Sequence, residues 1–171
     1  MKTLYIIRHA KSSWEQEDIN DMVRPLNDRG KTASLIVGNW LKYQSIQPDY
    51  VITSPATRAL HTAINICSRV DFPISKMDID QKIYFGNVKS ISEKLKILDN
   101  SSKTIDTIFL IGHEPLLSEL IHKLTKDVLD KFPTAALYSI NWNVDTWAEA
   151  MSQLGSKVDF ITPKSLINSK E

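Results

Sequence analysis

Short apolar runs alternate with longer amphipathic ones along the chain. The runs at residues 3–7, 50–53, 106–111 and 136–142 read as strands, and the first three are nearly continuous in apolar side chains, as strands buried on both faces are. Between them, residues 30–43, 55–69, 90–99 and 115–124 carry helical spacing. Strand, helix and strand in succession predict parallel crossovers in an α/β sandwich. A late run at 157–162 reads as a further strand, antiparallel to 136–142 across the turn-rich interval that contains Asn143 and Asp145.

Composition narrows the picture without naming a chemistry. A length of 171 residues suits one domain, 1–171, around one core, and the apolar share is ordinary for a globular protein. Twenty-one Lys plus Arg stand against twenty Asp plus Glu, so there is no overall electrostatic footprint for nucleic acid or an anionic membrane, and anion binding has to be local. Trp14, Trp40, Trp142 and Trp147 are not interleaved with basic clusters, which weakens a nucleic-acid role further. The one cysteine, Cys67, excludes an internal disulfide framework and, with Ile64 and Ile66 as apolar neighbours, reads as a buried helix position, so a reducing cytoplasm is the default compartment. Arg8-His9 interrupts the N-terminal apolar run before a signal-peptide core forms, and no run is long enough to span a bilayer. Neither repeats nor linkers divide the chain, and a monomer is expected.

In an open α/β sheet, ligands collect outside the carboxyl ends of the strands. Arg8-His9 stands at the end of the run Thr3–Ile7, and Gly112-His113 at the end of Ile108–Ile111, whereas His61 and His122 fall within helices. A lone histidine is usually structural; two at strand ends point to a shared site. The second strand runs into Ser54-Pro55-Ala56-Thr57-Arg58, which reads as a helix start with Ser54 as N-cap and Pro55 at the first helical position. Arg58 then lies about one turn inside and can reach back to the strand ends, because helical side chains lean toward the N-terminus. A guanidinium grips two phosphate oxygens at once, though a solvated helical arginine is the plainer alternative. Pro115 suits a helix start after His113, and the helix terminus there favours anions and lowers a histidine pKa. Gly112 permits close backbone approach.

Taken together, Arg8-His9-Ala10, Arg24-Pro25-Leu26-Asn27 with Gly30 and Ala33, Ser54-Pro55 with Arg58 and Thr62-Ala63, and Gly112-His113 resemble the histidine phosphatase superfamily in order and spacing. The short length, the stretch Phe132-Pro133-Thr134-Ala135-Ala136 and the terminal Thr162-Pro163-Lys164 look most like its SixA-type phosphohistidine phosphatase branch, since larger branches carry insertions over the pocket. The resemblance implies a three-layer α/β/α sandwich with a mostly parallel sheet and one antiparallel strand, of the phosphoglycerate mutase-like kind. It implies that His9 attacks phosphorus and is transiently phosphorylated, while Arg8, Arg58 and His113 surround the phosphoryl oxygens. No metal or other cofactor is required, and no His/Asp/Glu cluster has convincing metal-ligand spacing.

Two positions depart from the family pattern. Ala10 replaces the usual glycine, so the first loop must avoid a left-handed backbone or bear a cost of about 1 kcal/mol. Many members place an acidic proton donor in the loop after the third strand, yet Lys82–Asn87 contains no carboxylate. Asp21 is the best substitute donor by resemblance, with a solvated loop carboxylate as the alternative. Arg24 corresponds to a family arginine near the pocket mouth and contacts phosphate or substrate, or else is a surface arginine. Trp14 lines the pocket rim or packs against the core. The missing donor fits a labile phosphorus–nitrogen bond or an activated aryl ester. The expected partner is therefore a phosphorylated protein, carrying phosphohistidine, or a small phosphorylated substrate. The competing readings are a small-molecule phosphomonoesterase on the same scaffold and a non-catalytic phosphate-binding module.

Overall fold

The computed structural model describes residues 1–15 and 18–168. Strands β1 (Lys2–Arg8), β2 (Tyr50–Thr53), β3 (Asp78–Ile79), β4 (Thr107–Gly112), β5 (Leu137–Trp142) and β6 (Ser156–Ile161) form one six-stranded sheet in the order β3-β2-β4-β1-β5-β6. The first four are mutually parallel; β5 is antiparallel to both β1 and β6, so it alone runs against the rest. Among the described residues, seven α-helices accompany them: α1 (Asp28–Tyr43), α2 (Thr57–Arg69), α3 (Lys82–Phe85), α4 (Val88–Ile97), α5 (Leu116–Thr125), α6 (Trp147–Ala150) and α7 (Pro163–Asn168).

Alternation along the strands splits the core in two. Leu4 and Ile6 of β1 face a cluster with Ile91 and Leu95 of α4, Leu117, Leu120 and Ile121 of α5, and Trp147 of α6. Tyr5 and Ile7 face the opposite cluster, with Val37 and Leu41 of α1 and Ala59, Ala63, Ile66 and Cys67 of α2. Both faces of the strand are therefore covered, which is why the sequence shows an unbroken apolar run there. The sandwich has the three layers expected.

The strand and α-helices that the hydrophobic pattern did not anticipate are short: β3 has two residues, α3 and α6 four each and α7 six. Periodicity cannot register so few positions.

Topology places the site. From β1 the chain turns to α1 on one face of the sheet, and from β4 it turns to α5 on the other. These strands are neighbours, with Arg8 opposite Gly112. Their following loops separate to opposite sides, and the crevice between them is the switch point where α/β sheets bind ligands.

Candidate active site

His9 and His113 emerge on either side of this crevice. The His9 amide donates to the Gly112 carbonyl at 2.9 Å, and the two imidazole rings lie 5.0 Å apart between centroids. The first loop is tied down on all sides. Its Ala10 amide donates to Thr62 Oγ1 at 2.9 Å, and that hydroxyl donates to the Arg58 carbonyl at 2.7 Å. Ala135 donates its amide to the carbonyls of both Arg8 and His9, at 3.1 Å each, from a left-handed backbone with φ of 59°. An alanine held there costs about 1 kcal/mol, spent on a junction directly beneath the two functional side chains.

The Arg24–Asn27 segment is laid against the same loop by an antiparallel bridge between Ser12 and Leu26. Asn27 caps α1 by accepting from the Gly30 amide at 2.8 Å. A Cβ on Gly30 would come within 2.1 Å of the Lys11 carbonyl oxygen, so only glycine allows the first turn of α1 to sit this close. The outcome is that Arg24 is buried, at 7% exposure, and Arg58 likewise at 6%. Neither is a surface arginine.

His9 Nδ1 donates to the Ala10 carbonyl at 2.8 Å, which leaves the lone pair on Nε2. Burial pushes its pKa down to about 4, reinforced by the guanidinium groups of Arg58, Arg8 and Arg24 and opposed only by the Ala10 carbonyl. At neutral pH the ring is thus an uncharged nucleophile with a fixed tautomer. His113 is pushed down to about 3. Desolvation is the leading cause, and the neighbouring His9, Arg58 and Arg8 add to it. Its Nε2 lies 2.7 Å from Ser54 Oγ, and Ser54 Oγ accepts the Ala56 amide at 3.1 Å. With Ser54 donating its hydroxyl hydrogen to Nε2, the His113 proton resides on Nδ1.

Asp21 gathers the arginines. Its Oδ1 accepts from Arg24 Nη2 at 2.9 Å, its Oδ2 from Arg58 Nη2 at 2.9 Å and from the Tyr84 hydroxyl at 2.7 Å, and its backbone carbonyl from Arg58 Nη1 at 2.7 Å. Arg24 Nη1 donates to Ser12 Oγ and Arg8 Nη1 to the Phe132 carbonyl, the latter at 2.8 Å. Each guanidinium is held by its outer nitrogens. Among the described residues, the buried side-chain nitrogens and oxygens left without a partner are Arg8 Nε, Arg24 Nε, Arg58 Nε and His113 Nδ1. All four belong to residues whose charges act on His9 or on which His9 acts. Buried donors are ordinarily satisfied, so four at one place make an anion receptor.

The structure brings Arg8, His9, Asp21, Arg24, Arg58 and His113 into one cluster and puts Trp14 on its rim. The Arg24 guanidinium stacks over the Trp14 ring at 3.9 Å, and Trp14 is 72% exposed, so core packing is not its role. One expectation is corrected. Ser54 is not an N-cap: α2 begins at Thr57 after Ala56, because the Ser54 side chain is committed to His113 and the Ala56 amide. Of the two courses open to the first loop at Ala10, it takes the one that avoids a left-handed backbone: the described non-glycine residues with positive φ are Ser45, Asp71, Lys126 and Ala135. At Asp21, hydrogen bonds from Tyr84, Arg24 and Arg58 hold the carboxyl well below the usual range. Sequence reasoning had no role for Tyr84, Ser12 or Thr62. Tyr84 packs edge-on against His113 at 5.2 Å from α3, a helix too short to show periodicity, and nothing short of the tertiary contact reveals it.

No group of three or more potential metal-ligating side chains occurs among the described residues. No helix among them is long and apolar enough to cross a membrane.

A mixed α/β sheet with two histidines and three arginines at its switch point defines a phosphoryl-transfer class of site. A model of the histidine phosphatase superfamily (branch 1) matches residues 4–97, more than half of the chain, and the chain belongs to that superfamily; it is a phosphatase. Phosphohistidine phosphatase SixA of Escherichia coli (strain K12) is 28% identical over 138 residues, which cover 80% of this chain and 83% of that protein. The structure of the protein histidine phosphatase SixA complexed with tungstate superposes with a TM-score of 0.82 at 26% identity, covering 96% of this chain and 99% of the other. A mycobacterial glucosyl-3-phosphoglycerate phosphatase shares the fold, at a TM-score of 0.64 and 13% identity over 92% of this chain and 97% of its own.

Proposed function

We propose that this chain, as a single cytoplasmic domain, removes the phosphoryl group from phosphohistidine in proteins through transient phosphorylation of His9. The observation that carries the reading is the set of four buried, unpartnered nitrogens on Arg8, Arg24, Arg58 and His113 around a neutral imidazole. Three guanidinium groups and an Nδ1–H neutralise the phosphoryl oxygens and hold the group in line. His9 Nε2 then forms a bond to phosphorus as the bond to the leaving nitrogen breaks, and the leaving imidazole keeps the electron pair. Water attacks the phosphorylated His9, releasing inorganic phosphate and returning the electron pair to Nε2. Asp21 acts as a positioning residue that fixes the arginines from behind.

The character of Asp21 favours this substrate. A leaving alkoxide needs a proton, and an ionised carboxylate supplies none. A substrate phosphohistidine already protonated on its other ring nitrogen departs as neutral imidazole and needs no acid. Exposed Trp14, Val23 and Phe85 on the segments around the pocket offer apolar contact to a protein surface. The names of the SixA relatives agree with this assignment.

The test compares turnover of a histidine-phosphorylated protein, an aryl phosphate and an alkyl phosphate, with rapid quench to trap acid-labile phosphate on His9. The alkyl ester should be far slower than the other two, and His9→Ala should abolish trapping. Comparable rates on all three, or no phosphate on His9 during turnover, would overturn the reading.

A further inference from the structure

A cleft adjoins the phosphate pocket. It has a volume of about 810 Å³ and is lined by Lys11, Arg29, Lys131 and Lys164, with Asp28 as the one acid among the described residues and Pro133 among its remaining walls. Every element that builds it reaches the same edge of the sheet as the pocket. Lys11 follows β1, Asp28 and Arg29 begin α1, Pro133 precedes the antiparallel β5, and Lys164 follows β6, which runs in the β1 direction. The segment at 131–135 belongs to both places: Phe132 takes Arg8 through its carbonyl, and Ala135 joins the Arg8 and His9 carbonyls.

The charge of the cleft is out of proportion to that of the chain. The net formal charge is +1, yet four cations line this one cleft. All four are exposed, and among the described residues none of their side chains has an ion pair, a hydrogen bond or a ring contact. Asp28 is itself paired with Lys31 at 3.4 Å, which offsets the one opposing charge. The N-terminus of the 16-residue α1 opens on the cleft and adds to its positive potential. Among the described residues no aromatic side chain lines it, so they offer no platform for stacking bases. Its threonines and asparagine suit the amides of a peptide backbone instead.

We propose that this cleft docks an acidic, extended segment of the phosphorylated protein while the phosphohistidine of that protein occupies the adjoining pocket. The proposal rests on the substrate reading above and deepens it. Docking at the cleft confers selectivity for the carrier protein, and the pocket performs the chemistry. Rim charges of this kind act mainly on encounter and partner choice, and their effect falls as salt rises.

The probe is a fluorescein-labelled hexaglutamate peptide without phosphohistidine, titrated by anisotropy against the full chain at low and high salt, with hexaglutamine as the control. Hexaglutamate should bind and hexaglutamine should not. The double variant Lys131→Glu/Lys164→Glu should weaken hexaglutamate binding about tenfold, the order expected for two reversed rim charges. Aryl phosphate turnover by that variant should stay at the wild-type value. A phosphohistidine peptide with an acidic flank should be turned over faster than one with a glutamine flank, and the variant should erase the difference. Equal hexaglutamate binding by wild type and variant, or none by either, overturns the proposal. So does tighter, variant-sensitive binding of a single-stranded RNA oligomer or of anionic vesicles. Failure of the phosphohistidine reading shows separately, as loss of turnover on both phosphohistidine peptides with the anisotropy result intact.

Discussion

The substitution Ser54→Ala isolates one hydroxyl on which the electrostatics of the pocket depend. Ser54 is fully buried, accepts the Ala56 amide at 3.1 Å and lies 2.7 Å from His113 Nε2. Removing the oxygen strands a buried N–H and a buried ring nitrogen, each at a cost of about 1–3 kcal/mol. Some relaxation is expected, so the stability loss should be about 2–4 kcal/mol, equivalent to a drop of roughly 5–10 °C in Tm for a chain of this size. Catalysis should suffer separately. Once free of Ser54, a neutral His113 can carry its proton on Nε2 and present a lone pair, not a donor, to the phosphoryl group. Complete loss of an oxyanion donor costs about 10²–10³ in kcat, and a loss of about tenfold is expected because the productive tautomer stays populated. Melting followed by the buried Trp142 and Trp147, together with steady-state turnover of an aryl phosphate well below Tm, separates the two effects. A variant that melts early but keeps the wild-type kcat would refute the proposed donor role of His113 Nδ1. An unchanged Tm would refute the burial argument.

Three more outcomes follow from the same geometry. By NMR, the ring protons of His9 should titrate near pH 4 rather than 6.5; because the unfolded state then binds more protons between those values, stability should be full above pH 6.5 and fall as pH drops toward 4, and a midpoint near 6.5 would contradict the buried neutral ring. Gly112→Ala places a Cβ 2.9 Å from Ile83 Cγ2 and 3.2 Å from Leu117 Cδ2; overpacking of this order costs about 1–3 kcal/mol, visible as a lower denaturant midpoint at unchanged slope, and a neutral result would show that Ile83 and Leu117 yield freely. Arg24→Lys keeps the charge but loses the fork that serves Ser12, Asp21 and the free Nε at once; KM for an aryl phosphate should rise about tenfold, and an unaltered KM would place Arg24 outside the binding set.

How far the chain could be read depended on the range of the forces involved. Strands β1, β2, β4, β5 and β6 and the long helices were legible to within a few residues because burial on two faces or one leaves a periodic mark. The candidate chemistry was legible too, since strand ends are where α/β sheets display it, and Arg8, His9, Arg58 and His113 stand at such ends. Ser54 misled because a serine before a helix has two uses, and the sequence holds no trace of which partner it meets. The environment of Asp21 was hidden for a related reason: it is set by Tyr84, 63 positions away, and by Arg58, 37 positions away. The basic cleft was invisible in a nearly neutral composition, because its four cations come from four separate segments.

The amino-acid sequence by itself determined the layer order, the strand ends and the residue types that make phosphoryl chemistry available. These depend on local pattern, which burial and chain stiffness translate directly. Tertiary structure decided the tautomers of His9 and His113, the ionised state of Asp21, the burial of Arg24 and the gathering of scattered lysines beside the pocket. Those properties depend on desolvation and on charges only a few ångströms apart in space, and such distances exist only once the sheet has brought β1 and β4 side by side.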